Sequence, residues 1–188
     1  MILVITGDGK GKTTSSLGTA IRAAGWNKAV SIVFFDKGGE HYGEQNILDQ
    51  LKDKIDVFRF GHDRFNEKTQ EFRFANTRSD ENEAKKGIEK IYTLYNKKFK
   101  IQNSKFKNST KGYFLIVADE ILTCIKTGLL SDSAVHDLVD KCPKNVHLVL
   151  TGRSAPDWLI KKADLVSDVN EVKHYSTREG RAIKGLDF

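Results

Sequence analysis

The stretch Thr6-Gly-Asp-Gly-Lys-Gly-Lys-Thr-Thr14 follows directly on the apolar run Met1 to Ile5 and directly precedes a helical pattern. Few short sequences restrict a fold so strongly. A buried strand ends, a glycine-rich turn exposes backbone N–H groups, and a helix begins with its positive dipole end aimed into the turn. That arrangement binds phosphate. Gly7, Asp8, Gly9, Lys10 and Gly11 make the turn. Lys12 is placed to reach terminal phosphates as a point charge, and Thr13, with Thr14 beside it, to ligate Mg2+ through its hydroxyl. The usual pattern, G-x-x-x-x-G-K-[ST], has Gly where this chain has Thr6. The context outweighs that deviation: Leu17, Ala20, Ile21 and Ala24 mark one helix face, and Gly25 ends it. A Gly- and Lys-rich surface loop that binds nothing leaves this context unexplained.

The rest of the chain repeats the alternation. Apolar stretches at 2–5, 29–35, 55–60, 113–118, 146–150 and 164–169 read as strands, several of them nearly continuous, as parallel strands covered on both faces are. Ile88, Ile91, Tyr92, Tyr95 and Phe99 mark a long helix over 77–99 that opens at Ser79, Asp80 and Glu81. Ser131 and Asp132 open another, carrying Val135, Leu138 and Val139 and closed by Cys142-Pro143. No repeat or linker is visible. The expectation is one domain over 1–188: a single doubly wound, mostly parallel α/β sheet with helices on both faces, P-loop NTPase-like (RecA-like). Its ligand crevice belongs at the carboxyl ends of the strands.

Composition removes several function classes. The longest apolar stretch, Tyr113 to Ala118, is about a third of a membrane span of roughly twenty residues, and the N-terminus lacks a charged leader. A soluble, cytoplasmic protein without a membrane partner is expected. Cys124 and Cys142 have neither metal-ligand spacing nor a disulfide framework. The net charge of +6 suits anionic ligands, nucleotide or nucleic acid. Much of the excess sits in Lys97, Lys98, Lys100, Lys105, Lys107 and Lys111, a polar stretch with only Phe99 and Phe106 between. Without an aromatic ladder it reads as a solvated loop, so nucleic acid is disfavoured.

A second half of the site is legible at Phe114-Leu-Ile-Val-Ala-Asp119-Glu120, a buried strand ending in two carboxylates. Acids at the tip of an apolar strand are costly without a compensating cation. Beside a phosphate loop, Asp119 or Glu120 meets Mg2+, directly or through water; an acid-rich helix start is the other reading, and both hold together. Sequence leaves open which carboxylate touches the metal. ATP and Mg2+ are thereby implied, with ATP hydrolysis, phosphoryl transfer and rarer uses of the nucleotide all compatible.

The phosphate loop with Gly18-Thr-Ala-Ile-Arg-Ala-Ala-Gly25 resembles the ATP:corrinoid adenosyltransferases of cobalamin synthesis and salvage. The likeness continues in Phe35-Asp-Lys-Gly38, Gly43-Glu-Gln-Asn46, Val117-Ala-Asp-Glu120 and Leu150-Thr-Gly-Arg-Ser-Ala-Pro156. It runs on through Ala163-Asp-Leu-Val-Ser167, Val172-Lys-His174 and Lys184-Gly-Leu-Asp-Phe188, in the family's order and over almost the whole chain. That family also carries Thr at the first loop position. The resemblance implies transfer of the 5′-deoxyadenosyl group of ATP to a Co(I) corrinoid, with triphosphate leaving. Lys12 and Glu120 are the implied catalytic residues, and Thr13, Asp119 and Glu120 the implied metal ligands. It further implies a homodimer and a flavoprotein reductant as partners. A P-loop small-molecule kinase or a nucleic-acid-stimulated ATPase is the competing class.

Other assignments are two-sided. Glu44 contacts nucleotide or ribose, or is a solvated helix-start acid. Arg153 meets phosphate at the crevice rim, or pairs on the surface. His174 organises the site or is structural. On the corrinoid side the resemblance implies aromatic residues that displace the lower axial ligand of cobalt. Here the segment is Phe58-Arg-Phe-Gly-His-Asp-Arg-Phe65, without the tryptophan often found, so Phe60 and Phe65 are candidates for that role or for the core, and His62 a candidate nearby. Asp168 stands where the family usually has Glu, and Tyr175 to Gly180 departs from the common form.

Overall fold

The computed structural model describes residues 1–39, 42–66, 71–73, 75–98, 112–174 and 183–186. Among them, six strands form one sheet: β1 (Ile2–Thr6), β2 (Val30–Phe34), β3 (Ile55–Arg59), β6 (Leu115–Asp119), β7 (His147–Thr151) and β8 (Leu165–Asp168). All six expected strands are present, each within two residues of its expected ends. The sheet order is β3-β2-β6-β7-β1-β8, and every neighbouring pair in it is parallel. The expectation of a mostly parallel sheet is therefore met in full. A separate antiparallel pair, β4 (Phe65–Asn66) with β5 (Glu71–Phe72), was not visible in the sequence.

Helices cover both faces. On one, α1 (Lys12–Gly25) and α2 (Gly43–Gln50) pack Ala20, Ala24 and Leu48 onto Ile5, Ile32, Phe34 and Val117. On the other, α3 (Arg78–Tyr95), α4 (Ile121–Lys126), α5 (Asp132–Asp140) and α6 (Asp157–Lys162) bury Ile91, Leu122, Leu138 and Leu159 against Val33, Ile116 and Leu148. Each large aliphatic side chain so enclosed contributes about 1.5–3 kcal/mol. Strands β2, β6 and β7 are the most enclosed, as their unbroken apolar runs require.

Helix α1 corrects one expectation. Its buried row is Lys12, Ser16, Ala20 and Ala24, spaced every four residues, whereas Ile21 is 50% exposed. Small residues on that row let the helix lie close to the sheet, which draws the phosphate loop tight against β6. Helix α3 starts where expected, with Ser79, Asp80 and Glu81 in its first turn, and its cap is Thr77: the Thr77 hydroxyl accepts from the Asp80 N–H, and the Asp80 carboxylate accepts from the Thr77 N–H. Arg73 clamps the same carboxylate from the end of β5, at 2.7 and 3.0 Å. This ties the β4–β5 pair to α3. Phe99, expected on this helix, and lysines 100 to 111 lie outside the described residues.

Hydrogen bonding from Arg73, and secondarily from Thr77, holds the Asp80 carboxyl well below the usual carboxylate range, against the opposing effect of burial. A lowered folded-state pKa means the stabilisation is complete at neutral pH and is lost as pH falls below about 4. Thr77→Ala is expected to cost about 1 kcal/mol in urea denaturation at pH 7. Asp80→Asn is expected to flatten the acid limb of the stability profile; an unchanged acid limb would remove Asp80 from that role.

Candidate functional site

The carboxyl ends of β1, β6 and β7 carry the loop, the acids and a supporting hydroxyl respectively, and β7 lies between the other two. The loop turns on Gly7 and Gly11, with φ of +103° and +121°. Both values are in the region that favours glycine. Gly7 has a second constraint. A Cβ there would sit 2.4 Å from the Val169 carbonyl oxygen and the Asp168 carboxylate. The Gly9 N–H donates to that same Val169 oxygen at 2.7 Å. The chain leaving β8 therefore lies directly against the loop, which gives Asp168 a place beside Gly7 that its spacing did not reveal.

Thr6, the irregular loop position, is buried, and its hydroxyl accepts from the Ala155 N–H at 3.1 Å. Glycine offers no such acceptor. Thr6 thus joins the phosphate loop to the segment after β7 that carries Arg153. Thr6→Val leaves the Ala155 N–H without its acceptor and is expected to lower stability by about 1–3 kcal/mol in chemical denaturation.

Residues Asp8 to Thr14 line one cleft of about 780 Å3, together with Lys37, Glu44, Glu120, Arg153 and His174. Thus Lys10, Glu44, Arg153 and His174, scattered in sequence, are brought to one place. Lys12 is 8% exposed and donates from Nζ to the Gly9 carbonyl at 2.7 Å. Burial pushes its pKa down from the ordinary lysine value, while nearby Glu120 acts in the opposite sense. Arg153 lies at the rim, 3.7 Å from the Asp8 carboxylate, with both side chains more than half exposed. Such a pair contributes little to stability, and its guanidinium is accessible from the cleft.

The two strand-end acids have separate surroundings. Asp119 is fully buried; its oxygens accept from the Thr13 hydroxyl at 3.1 Å and the Thr151 hydroxyl at 2.8 Å. Ser16 adds a 3.5 Å contact and also bonds the Thr13 carbonyl at 2.8 Å. Glu120 has φ +64°, a left-handed conformation that costs a non-glycine residue about 1–2 kcal/mol. Its N–H donates to Thr151 at 2.9 Å, which helps hold the turn. The turn sends Glu120 to the cleft wall while Asp119 stays beneath Thr13.

A residue the sequence reading did not single out completes this region. Lys37 Nζ lies 2.9 Å from Asp119, 3.2 Å from the Thr13 hydroxyl oxygen and 3.5 Å from Glu44. It also sits 5.2 Å from the Phe34 ring centre and 5.4 Å from that of Tyr42. Burial works against its charge, but Asp119 and then Glu44 outweigh burial, and the ammonium is held above its ordinary pKa. The described residues contain no group of three or more His, Cys, Asp or Glu able to cage a metal. Mg2+ does not need one, since it binds through one or two carboxylates plus phosphates and water. Thr13 and Asp119 fit that pattern, and the Lys37 ammonium rests on the same two oxygens.

Of the corrinoid-side candidates, Phe60 and His62 lie apart from this cleft's lining. Phe60 packs against the core, and His62 Nε2 shares a 2.8 Å hydrogen bond with Ser79. The Phe65 side chain and residues 175 to 180 lie outside the described set. The 60–64 segment nevertheless abuts the turn that carries Lys37. The Lys37 N–H donates to the Phe60 carbonyl at 3.3 Å, and Arg64 grips Asp36 at 2.8 Å. A Cβ on Gly38 would fall 2.1 Å from the His62 carbonyl carbon.

The family model described as ATP:corrinoid adenosyltransferase BtuR/CobO/CobP matches residues 1–188. The chain is 29% identical to the corrinoid adenosyltransferase of Escherichia coli K12, covering all of this chain and 85% of that protein. The corrinoid adenosyltransferase CobA of Salmonella typhimurium gives the same identity and coverage. That of Pseudomonas aeruginosa is 28% identical over all of this chain and 83% of its own length.

Proposed function

The chain belongs to the ATP:corrinoid adenosyltransferase BtuR/CobO/CobP family, and on that premise we propose that its cleft holds ATP by the triphosphate and presents C5′ to the corrinoid. The enzyme transfers the adenosyl group of ATP to a corrinoid. The competing readings, a small-molecule kinase and a nucleic-acid-stimulated ATPase, find no support in the family or these relatives.

The observation that carries the residue roles is the loop at the head of α1, where residues 8 to 14 line the cleft and Lys12 stands buried at its base. The electron pair of Co(I) attacks C5′, the Co–C bond forms, and the C5′–O bond breaks as triphosphate departs. Cobalt brings its own nucleophilic pair, so the protein's task is binding, orientation and electrostatics. Negative charge grows on the departing oxygen. Lys12, the N–H groups of the loop and first turn of α1, and Arg153 at the rim stabilise it. Thr13 and Asp119 are the residues that would hold Mg2+, with Glu120 at the cleft wall. When bound, such an ion would add positive charge beside the leaving triphosphate. Thr151 and Ser16 position Asp119 and Thr13 and touch no substrate.

The whole chain works as one such domain in this reading, as a homodimer fed with electrons by a flavoprotein, both on the strength of the family likeness. No helix among the described residues is long and apolar enough to cross a membrane. The decisive assay mixes the protein with Mg-ATP and chemically reduced cobalamin, follows absorbance to the light-sensitive alkylated product and identifies the phosphate released. Alkylated corrinoid and triphosphate in equal amounts are expected. ADP or orthophosphate without alkylated product would overturn the reading.

A further inference from the structure

We infer that Lys37 is a built-in substitute for the divalent cation: its ammonium fills the Thr13–Asp119 position in the nucleotide-free protein, so the metal enters only together with the triphosphate. The contacts carry this directly. Nζ is 2.9 Å from Asp119 Oδ2 and 3.2 Å from Thr13 Oγ1, the two protein oxygens to which the metal is assigned. Thr13 donates its proton to Asp119, so its lone pairs face a cation, and that cation is Lys37. A divalent ion drawn to the same two oxygens at about 2.1 Å would stand beside a like charge. The two cations exclude one another.

The surroundings provide both the hold and the release. Asp119 is fully buried, and a carboxylate there without a cation is costly, so the lysine neutralises it. Glu44, on the first turn of α2, lies 3.5 Å from the same Nζ and lines the cleft. The lysine therefore has a second anion within a short swing, and the aromatic rings of Phe34 and Tyr42 flank that movement. An arriving triphosphate brings several negative charges to the cleft. It offers the displaced ammonium a further partner while delivering the metal to Thr13. Free Mg2+ brings only positive charge and has no such exchange. The nucleotide and the metal consequently bind as one complex, and the lysine makes the site refuse the bare ion.

This inference rests on the assignment of a divalent cation to Thr13 and Asp119, and the two can fail separately. Nucleotide-free protein is titrated with Mn2+, and free Mn2+ is read by its electron paramagnetic resonance signal. Wild type is expected to show no site tighter than the millimolar range. Lys37→Met is expected to bind one Mn2+ at least tenfold more tightly, and adding Asp119→Asn to it should abolish the gain. Should Lys37→Met fail to fold, Lys37→Gln, which keeps a donor toward Asp119, carries the same expectation. Tight Mn2+ binding by wild type overturns the inference, as does a Lys37 variant that binds no better or whose gain survives Asp119→Asn. Adenosyl transfer by wild type in EDTA is the separate arm. Undiminished transfer there removes the metal assignment itself, whereas a Mg2+ requirement with unaltered Mn2+ binding in the variants removes only the lysine's role.

Discussion

Lys12→Ala is expected to lower kcat/KM for adenosyl transfer by about 10³, a loss near 4 kcal/mol of transition-state stabilisation. The size follows from where the charge is. Lys12 lines the cleft as a buried side chain with its Nζ already turned to the Gly9 carbonyl. A cation preorganised in such a place is worth far more than one in solvent, because it needs no rearrangement as charge develops on the leaving triphosphate. ATP affinity should fall much less than turnover, since the loop N–H groups remain. The pH dependence gives an independent check. Burial lowers the Lys12 pKa in the protein without ATP, so kcat/KM, which reports the free enzyme, should fall as pH rises at a value below that of an ordinary lysine. A variant whose loss is confined to KM, with kcat intact, would contradict this role for the ammonium.

The second large effect concerns stability. Asp119→Ala is expected to cost about 3–5 kcal/mol in chemical denaturation, enough to unfold many domains of this size near body temperature. Removing the carboxylate leaves the Lys37 ammonium, whose side chain is 13% exposed, with only the longer Glu44 contact at 3.5 Å, and takes acceptors from the Thr13 and Thr151 hydroxyls. Asp119→Asn keeps the volume and some hydrogen bonding and should cost less. In a Lys37→Met background the same Asp119→Ala change should cost much less, because no buried charge is left unpaired; full additivity of the two changes would argue against the pairing.

Much of this site could be read along the chain because its parts are local. The phosphate loop is contiguous, its strand–turn–helix context lies within about two dozen residues, and the acids end an apolar strand. Strands β2, β6 and β7 were legible for the same reason: parallel strands buried on both faces leave continuous apolar runs. Lys37 was not legible. Phe35-Asp-Lys-Gly38 looks like any strand end, and its meeting with Thr13 depends on β2 lying beside β6, an order set by non-local pairing. Thr151 is hidden likewise, since its contact with Asp119 requires β7 to lie next to β6. The division between Asp119 and Glu120 escaped because one left-handed residue breaks the alternation that would have assigned their faces. Ile21 misled because periodicity marks a stripe of possible contacts, and the small residues beside it decided which part of the stripe met the sheet.

The absence of a side chain at Gly38 has an implication for changing this enzyme's acceptor. With the His62 backbone pressed against it, nothing compressible separates the 60–64 segment from the turn bearing Lys37. Libraries that diversify residues 58–65, the segment that the family resemblance assigns to the corrinoid, will therefore displace Lys37 as well. Their best members should show altered metal requirements, and gains in acceptor scope should be epistatic with position 37. Selecting the two regions together, instead of in succession, is the route such an engineering effort should take.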